Sequence, residues 1–263
     1  MTPPPRGEDK RVNRGEAAAY GPLFRPKEVT RRISIAWGIF LDHQFERTST
    51  IPALDPHVLD RIGEHEVTLP PLRLLGKAGN QPIEGLLFLA SMGRALDATR
   101  VFEIGTFNGL SAWCLARNLA GATIDTLDLP VDQQPVLPLA ESDPLNRSAQ
   151  PERVHETLPS PGRVVQHWGD SATFDFSPWR DGCDLVYVDG AHSAEYVSSD
   201  TRNAFEMIAE GGAIVWDDYW RHEPGVRSVL EKLTGRGLHR VPGTRLVVYL
   251  SEPARRRLAT RAD

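Results

Sequence analysis

Apolar residues along this chain gather in short β-branched runs separated by stretches of helical spacing. Val101-Phe-Glu-Ile104, Ala122-Thr-Ile-Asp-Thr-Leu-Asp128, Gly162-Arg-Val-Val-Gln-His167, Cys183-Asp-Leu-Val-Tyr-Val-Asp189 and Gly212-Ala-Ile-Val-Trp-Asp217 each read as a strand. Helical signals fall between most of them, notably from Leu110 to Leu119 and from Ala194 to Ala209. That alternation predicts parallel βαβ units in an open, doubly wound, Rossmann-like sheet of the α/β class. Leu238 to Leu250, punctuated by Pro242-Gly-Thr244, predicts a hairpin, and with it an antiparallel ending to a mostly parallel seven-stranded sheet.

Upstream of the strands, Ile33, Trp37, Phe40 and Leu41 have helical spacing, and weaker helical signals follow from Pro56 to Gly63 and from Pro82 to Leu96. The chain then divides into a flexible segment 1–30 rich in Pro, Gly and charge, a helical cap or substrate-side extension 31–81, a main domain 82–252, and a tail 253–263. Within the tail, Arg255-Arg-Arg257 reads as a solvated run. Pro130 to Pro161 is too long for an ordinary connection and predicts a helix or lid.

Composition narrows the function classes. With 263 residues, 40% of them hydrophobic, the chain can bury a sizeable core. A net charge of −5 and no basic patch with interleaved aromatics argue against nucleic acid as a partner. Gly85 to Met92 is too short to cross a bilayer and residues 1–10 lack the apolar core of a signal peptide, so a soluble, cytoplasmic protein is expected. Two cysteines, Cys114 and Cys183, give neither a disulfide framework nor a thiolate metal site.

In an open α/β sheet ligands bind beyond the carboxyl ends of the strands. Here the first strand runs through Glu103-Ile-Gly105 into Thr106-Phe-Asn-Gly109 and then a helix, a turn in which the two glycines permit positive φ and close backbone approach. A dinucleotide fold wants G-x-G-x-x-G around a pyrophosphate, which this turn lacks, and the Glu103 carboxylate suits a cationic ligand such as a sulfonium. The other strands end at Asp128, at Gly169-Asp170-Ser171, at Asp189 and at Asp217-Asp218. Any one such aspartate is commonly a cap or turn residue, but together they line one edge with acid.

These residues resemble the class I S-adenosylmethionine-dependent methyltransferases over roughly residues 82–250, with Glu103 to Gly109 as the cofactor loop and the hairpin as the sixth and seventh strands. Val188-Asp-Gly-Ala-His-Ser193 followed by Glu210 to Asp218 is similar to the bacterial natural-product and sugar O-methyltransferase branch, related to the metal-dependent catechol type. The resemblance implies cofactor contacts from Glu103, Gly105, Thr106, Phe107, Asn108 and Gly109, from Asp128 and Leu129 at the ribose, from Gly169, Asp170 and Ser171 at the adenine, and from Asp189. It implies a divalent cation, Mg²⁺ by the hard oxygen donors, on Asp189, Asp217 and Asp218.

The implied reaction moves a methyl group from S-adenosylmethionine to a hydroxyl of a small-molecule acceptor such as a sugar, phenol or natural product. His192, with a reference pKa of about 6.5, is the candidate base beside Asp189 as the second catalytic residue. This chain has Asp218 and His192 where the catechol type has an amide and a lysine, so the ligand set and the base stay open. Rival readings are a metal-independent N- or O-methyltransferase, a non-catalytic cofactor-binding accessory protein, and a nicotinamide dehydrogenase, the last disfavoured by the missing glycine and the hairpin. A homo-oligomer through the N-terminal helices is one arrangement the chain allows.

Overall fold

The computed structural model describes residues 48–77, 79–143 and 153–260; the expected flexible segment and the helix near Ile33 to Leu41 lie outside them. Seven strands form one sheet: β1 Arg100–Ile104, β2 Thr123–Asp128, β3 Arg163–Trp168, β4 Cys183–Val188, β5 Ile208–Trp216, β6 Leu238–Arg240 and β7 Val247–Leu250. Their spatial order is β3-β2-β1-β4-β5-β7-β6, with the first five parallel and β7 antiparallel to both β5 and β6. The chain winds outward from β1 through β3, then returns to place β4 on the other side of β1. The switch point, where such sheets open a crevice, therefore lies between the ends of β1 and β4.

Side-chain alternation sends successive residues of each strand to opposite faces. Val101, Leu185 and Tyr187 pack on one face with α1 Pro56–Gly63, α2 Ile83–Ala95, α3 Leu110–Asn118 and α7 Glu252–Ala259. Phe102, Ile104, Val186 and Val188 pack on the other with α5 Ala194–Met207 and α6 Pro224–Glu231. A short helix, α4 Val154–Thr157, sits within the long connection after β2.

Two expectations need correcting. β5 begins at Ile208 rather than Gly212, because Ile208 pairs with Cys183 and a register irregularity between Cys183 and Leu185 takes up the extra residues. The expected tail is instead helix α7, started by Ser251, whose side chain accepts from the Ala254 N–H, and anchored by buried Ala254 and Leu258. Its arginines do face outward. Among the described residues of the expected substrate-side extension, α1 covers the core, Ala53 bridges to Arg240 at the sheet edge, and Gly79, Asn80 and Gln81 reach the crevice.

Candidate active site

A cavity of about 600 Å³ opens at the switch point. Its floor is the glycine turn. Gly105 has φ +99°, and a Cβ there would stand 1.9 Å from the Asp189 carbonyl oxygen, so glycine lets the ends of β1 and β4 close on each other. Gly109, at φ +71°, caps the start of α3 against His155 of α4.

Of the expected cofactor residues, Gly105, Phe107, Asp128, Leu129, Gly169, Asp170, Ser171 and Asp189 line this cavity. Glu103, Thr106, Asn108 and Gly109 do not, and each has a partner beneath the floor. Glu103, fully buried, faces α3 and accepts from Ser111 Oγ and Thr126 Oγ1. Burial pushes its carboxyl up to about 7 against those two hydrogen bonds. Thr106 shares a 2.7 Å hydrogen bond with Thr126. Asn108 accepts from the Leu110 N–H and donates to Asn80. These four hold the shape of the turn that floors the cavity.

Asp128 and Asp170 reach the cavity with protein partners already in place. Arg153, at the start of α4, puts Nη2 3.2 Å from Asp128 Oδ2 while lying over the Trp168 ring. Asp170 accepts from the Val136 N–H at 2.9 Å and the Tyr196 hydroxyl at 2.6 Å, so it ties the connection after β2 to α5.

The acids beyond β4 and β5 form the far wall. Donor atoms of Asp189, His192 and Asp218 lie within 4.8 Å of one another, a spacing suited to one cation. Asp217, the third expected ligand, lies outside that trio, whose third member is His192; it lines the same cavity and is 6% exposed, its Oδ2 accepts from Gln81 Nε2 at 2.8 Å, and its Oδ1 is buried without a hydrogen-bond partner. Tyr187 donates to Asp189 Oδ2 at 2.8 Å. Burial and the Asp217 charge push the Asp189 carboxyl well above the ordinary carboxylate range, and burial with Asp218 pushes Asp217 up to about 7. Crowded buried carboxylates with an orphaned oxygen fit a divalent cation, which would satisfy that oxygen and relieve the repulsion.

His192, the expected base, lies between two carboxylates. Its Nδ1 lies 2.9 Å from Asp143 Oδ1 and its Nε2 3.1 Å from Asp218 Oδ2. Although burial opposes the charge, these two carboxylates raise its pKa to about 11. Arg245, from the turn between β6 and β7, reaches Asp218 Oδ1 at 2.9 Å and lies over the Trp220 ring. Trp220 lines the cavity, whereas Trp216 is buried and donates to Thr201; His222 stacks edge-on against Trp220.

Sequence reasoning missed Gln81, Asp143, Arg153, Tyr187, Glu223 and Arg245. All but Tyr187 come from connections, which have no periodicity to mark them. Tyr187 was visible as a polar tip at the buried end of a strand, two residues before Asp189.

Residues 102–219 match the protein family described as "Methyltransferase domain". A curated relative, the uncharacterized protein R132 of Acanthamoeba polyphaga mimivirus, is 28% identical over 144 residues, or 52% of this chain; the match spans 59% of the relative's own length. Among solved structures, the O-methyltransferase TomG of Streptomyces achromogenes, in complex with SAM, is 21% identical, with 76% of this chain and 92% of that one covered at a TM-score of 0.46. The SAH-bound methyltransferase PaMTH1 of Podospora anserina is 15% identical, with 88% and 99% covered at a TM-score of 0.46. Among the described residues no helix is long and apolar enough to cross a membrane. Residues 102–219 are thus similar to a methyltransferase domain.

Proposed function

We propose that this protein transfers a methyl group from S-adenosylmethionine to a hydroxyl of a small acceptor, a sugar, phenol or other natural product, with a divalent cation such as Mg²⁺ at the acid wall. The observation that carries this reading is the position of Asp189. It sits against the glycine turn through its backbone and within the acid cluster through its side chain, so one residue joins the two halves of one cavity.

When bound, S-adenosylmethionine supplies a methyl group already activated on a sulfonium, and positioning does much of the remaining work. A divalent cation on Asp189, Asp217 and Asp218 would lower the pKa of an acceptor hydroxyl. The chain's own residues do the rest. The backbone at Gly105 and the Phe107 ring bound the cofactor side, and Trp220, Ser142 and Glu223 bound the acceptor side. His192 holds Asp143 and Asp218 apart as their shared counter-charge. Of the two expected catalytic residues, Asp189 lines the cavity as a ligand for the cation, and His192 lines it between Asp143 and Asp218.

Calorimetric titration with S-adenosylhomocysteine, followed by methyl transfer from labelled S-adenosylmethionine to a panel of hydroxylated acceptors with and without EDTA, tests the reading. Binding with cation-dependent transfer supports it. Absence of binding sinks it, transfer that survives exhaustive chelation favours a metal-independent enzyme, and binding without transfer to any acceptor favours an accessory protein.

A further inference from the structure

Gly79, Asn80 and Gln81 form a turn clipped at one end to the cofactor loop and at the other to the acid wall. Gly79 has φ +81°, and a Cβ there would lie 2.8 Å from the Phe107 ring, so only glycine brings the turn this close. Asn80 accepts from Asn108 and donates to the Leu74 carbonyl at 2.9 Å. Gln81 is buried, and its Nε2 donates both to the Tyr187 hydroxyl at 2.6 Å and to Asp217 Oδ2 at 2.8 Å. The opposite amide orientation would set Oε1 against a carboxylate, so the donating one is chemically required. A Cβ at position 85 would stand 2.5 Å from Gln81 Oε1; Gly85 of α2 leaves the room that the glutamine occupies.

We infer that Gln81 is a positioning residue for the cation site, holding Asp217 directly and Asp189 through Tyr187. This inference rests on the cation-assisted reading above. Its geometry explains why one oxygen of Asp217 is tied while the other is buried and free: the tie orients the carboxylate, and the untied Oδ1 is the atom left for a ligand. The same amide hydrogen-bonds the tyrosine that donates to Asp189 Oδ2, so one side chain from a connection sets two acids that end two different strands. Partners of this kind, which hold metal ligands from behind, commonly contribute 10–100-fold to affinity.

The test is Mn²⁺ binding to the full chain by calorimetry, with S-adenosylhomocysteine binding measured in parallel. Gln81→Met keeps the length and fills the space but removes both donors. It is expected to weaken Mn²⁺ by about 10–100-fold while cofactor affinity stays within about two-fold and the thermal transition remains cooperative. Tyr187→Phe, which deletes only the hydroxyl, is expected to weaken Mn²⁺ in the same direction and serves if Gln81→Met does not fold. Mn²⁺ affinity unchanged in a folded variant overturns the inference alone, as does an equal loss of both ligands, which would mark general distortion. Failure of the unaltered protein to bind Mn²⁺ overturns the cation-assisted reading and this inference with it.

Discussion

Arg153 Nη2 stands 3.2 Å from Asp128 Oδ2, and the guanidinium lies 4.4 Å from the centre of the Trp168 ring, so the carboxylate expected to hold the ribose already has a cation beside it. Ribose hydroxyls must therefore share Asp128 with Arg153 or displace it. The pair is partly exposed, and such pairs contribute up to about 1 kcal/mol. Arg153→Met is accordingly expected to tighten S-adenosylhomocysteine by up to about five-fold, since 1.4 kcal/mol is ten-fold. Asp128→Asn should instead weaken it by more than about ten-fold, as a charged acceptor is lost. Calorimetry on both variants decides; weaker binding by Arg153→Met would show that the arginine helps to hold the cofactor.

Gly105→Ala tests the closure of β1 on β4. The added methyl would meet the Asp189 carbonyl at 1.9 Å, which no rotamer change can relieve because the obstacle is backbone. The Asp189 N–H to Ile104 carbonyl hydrogen bond at 2.8 Å would have to give way, moving Asp189 with it. The expected outcome is loss of cofactor binding and a clear drop in melting temperature. Gly121→Ala is the control: its φ is +79° with nothing within 4 Å, so it should cost only the conformational penalty of about 1–2 kcal/mol and leave binding alone. Equal effects of the two would refute the packing argument.

Removal of the cation is expected to stop turnover without disturbing the cofactor half of the cavity. EDTA should abolish transfer, and added Mg²⁺ or Mn²⁺ should restore it. Asp217→Asn keeps an acceptor for Gln81 but withdraws a charge, and a loss of the order of 100-fold in turnover corresponds to about 3 kcal/mol of the several kcal/mol a bound cation supplies. Turnover within two-fold of the unaltered protein would exclude Asp217 from the cation site.

How much of this was legible in sequence follows from what makes a pattern. Strands such as Val101 to Ile104 announce themselves because β-branched and aromatic residues pack on a pleated surface, and the glycines that follow are demanded by backbone contact. The edge of the sheet was readable for the same reason, since Asp128, Asp170, Asp189 and Asp217 each sit just past a strand or at its last residue. Counting from Val101 places Glu103 on the face of α3, where Ser111 lies. Helix α7 was hidden because only Ala254 and Leu258 of its eight residues are buried, though Ser251 before Pro253 was an available start signal. Gln81, Asp143 and Arg245 could not be found locally. Each reaches the site from a connection, and their partners Asp217, His192 and Asp218 are 136, 49 and 27 residues away in sequence.

Glu103 gives the stability of the fold a definite pH dependence. Its carboxyl is raised from 4.5 to about 7 by burial, against the lowering effect of Ser111 and Thr126. Below about 4.5 both folded and unfolded chains carry the proton, and the stabilisation is fully present. Between there and about 7 the unfolded chain gives up its proton while the folded one keeps it, so stability falls as pH rises; above about 7 both are ionised and this contribution is level. At 1.36 kcal/mol per pH unit the fall amounts to roughly 3 kcal/mol. Asp200 and Asp217, each raised to about 7, tilt the unaltered protein the same way, so a difference between two proteins is needed. Glu103→Gln keeps an acceptor for one of the two hydroxyls, turns an N–H to the other, and has no proton to lose. Urea unfolding at pH 5, 6, 7 and 8 should show the variant gaining on the unaltered protein up to pH 7 and running parallel above it. A constant difference across that range would mean that the Glu103 carboxyl titrates in the folded protein as it does in the unfolded chain.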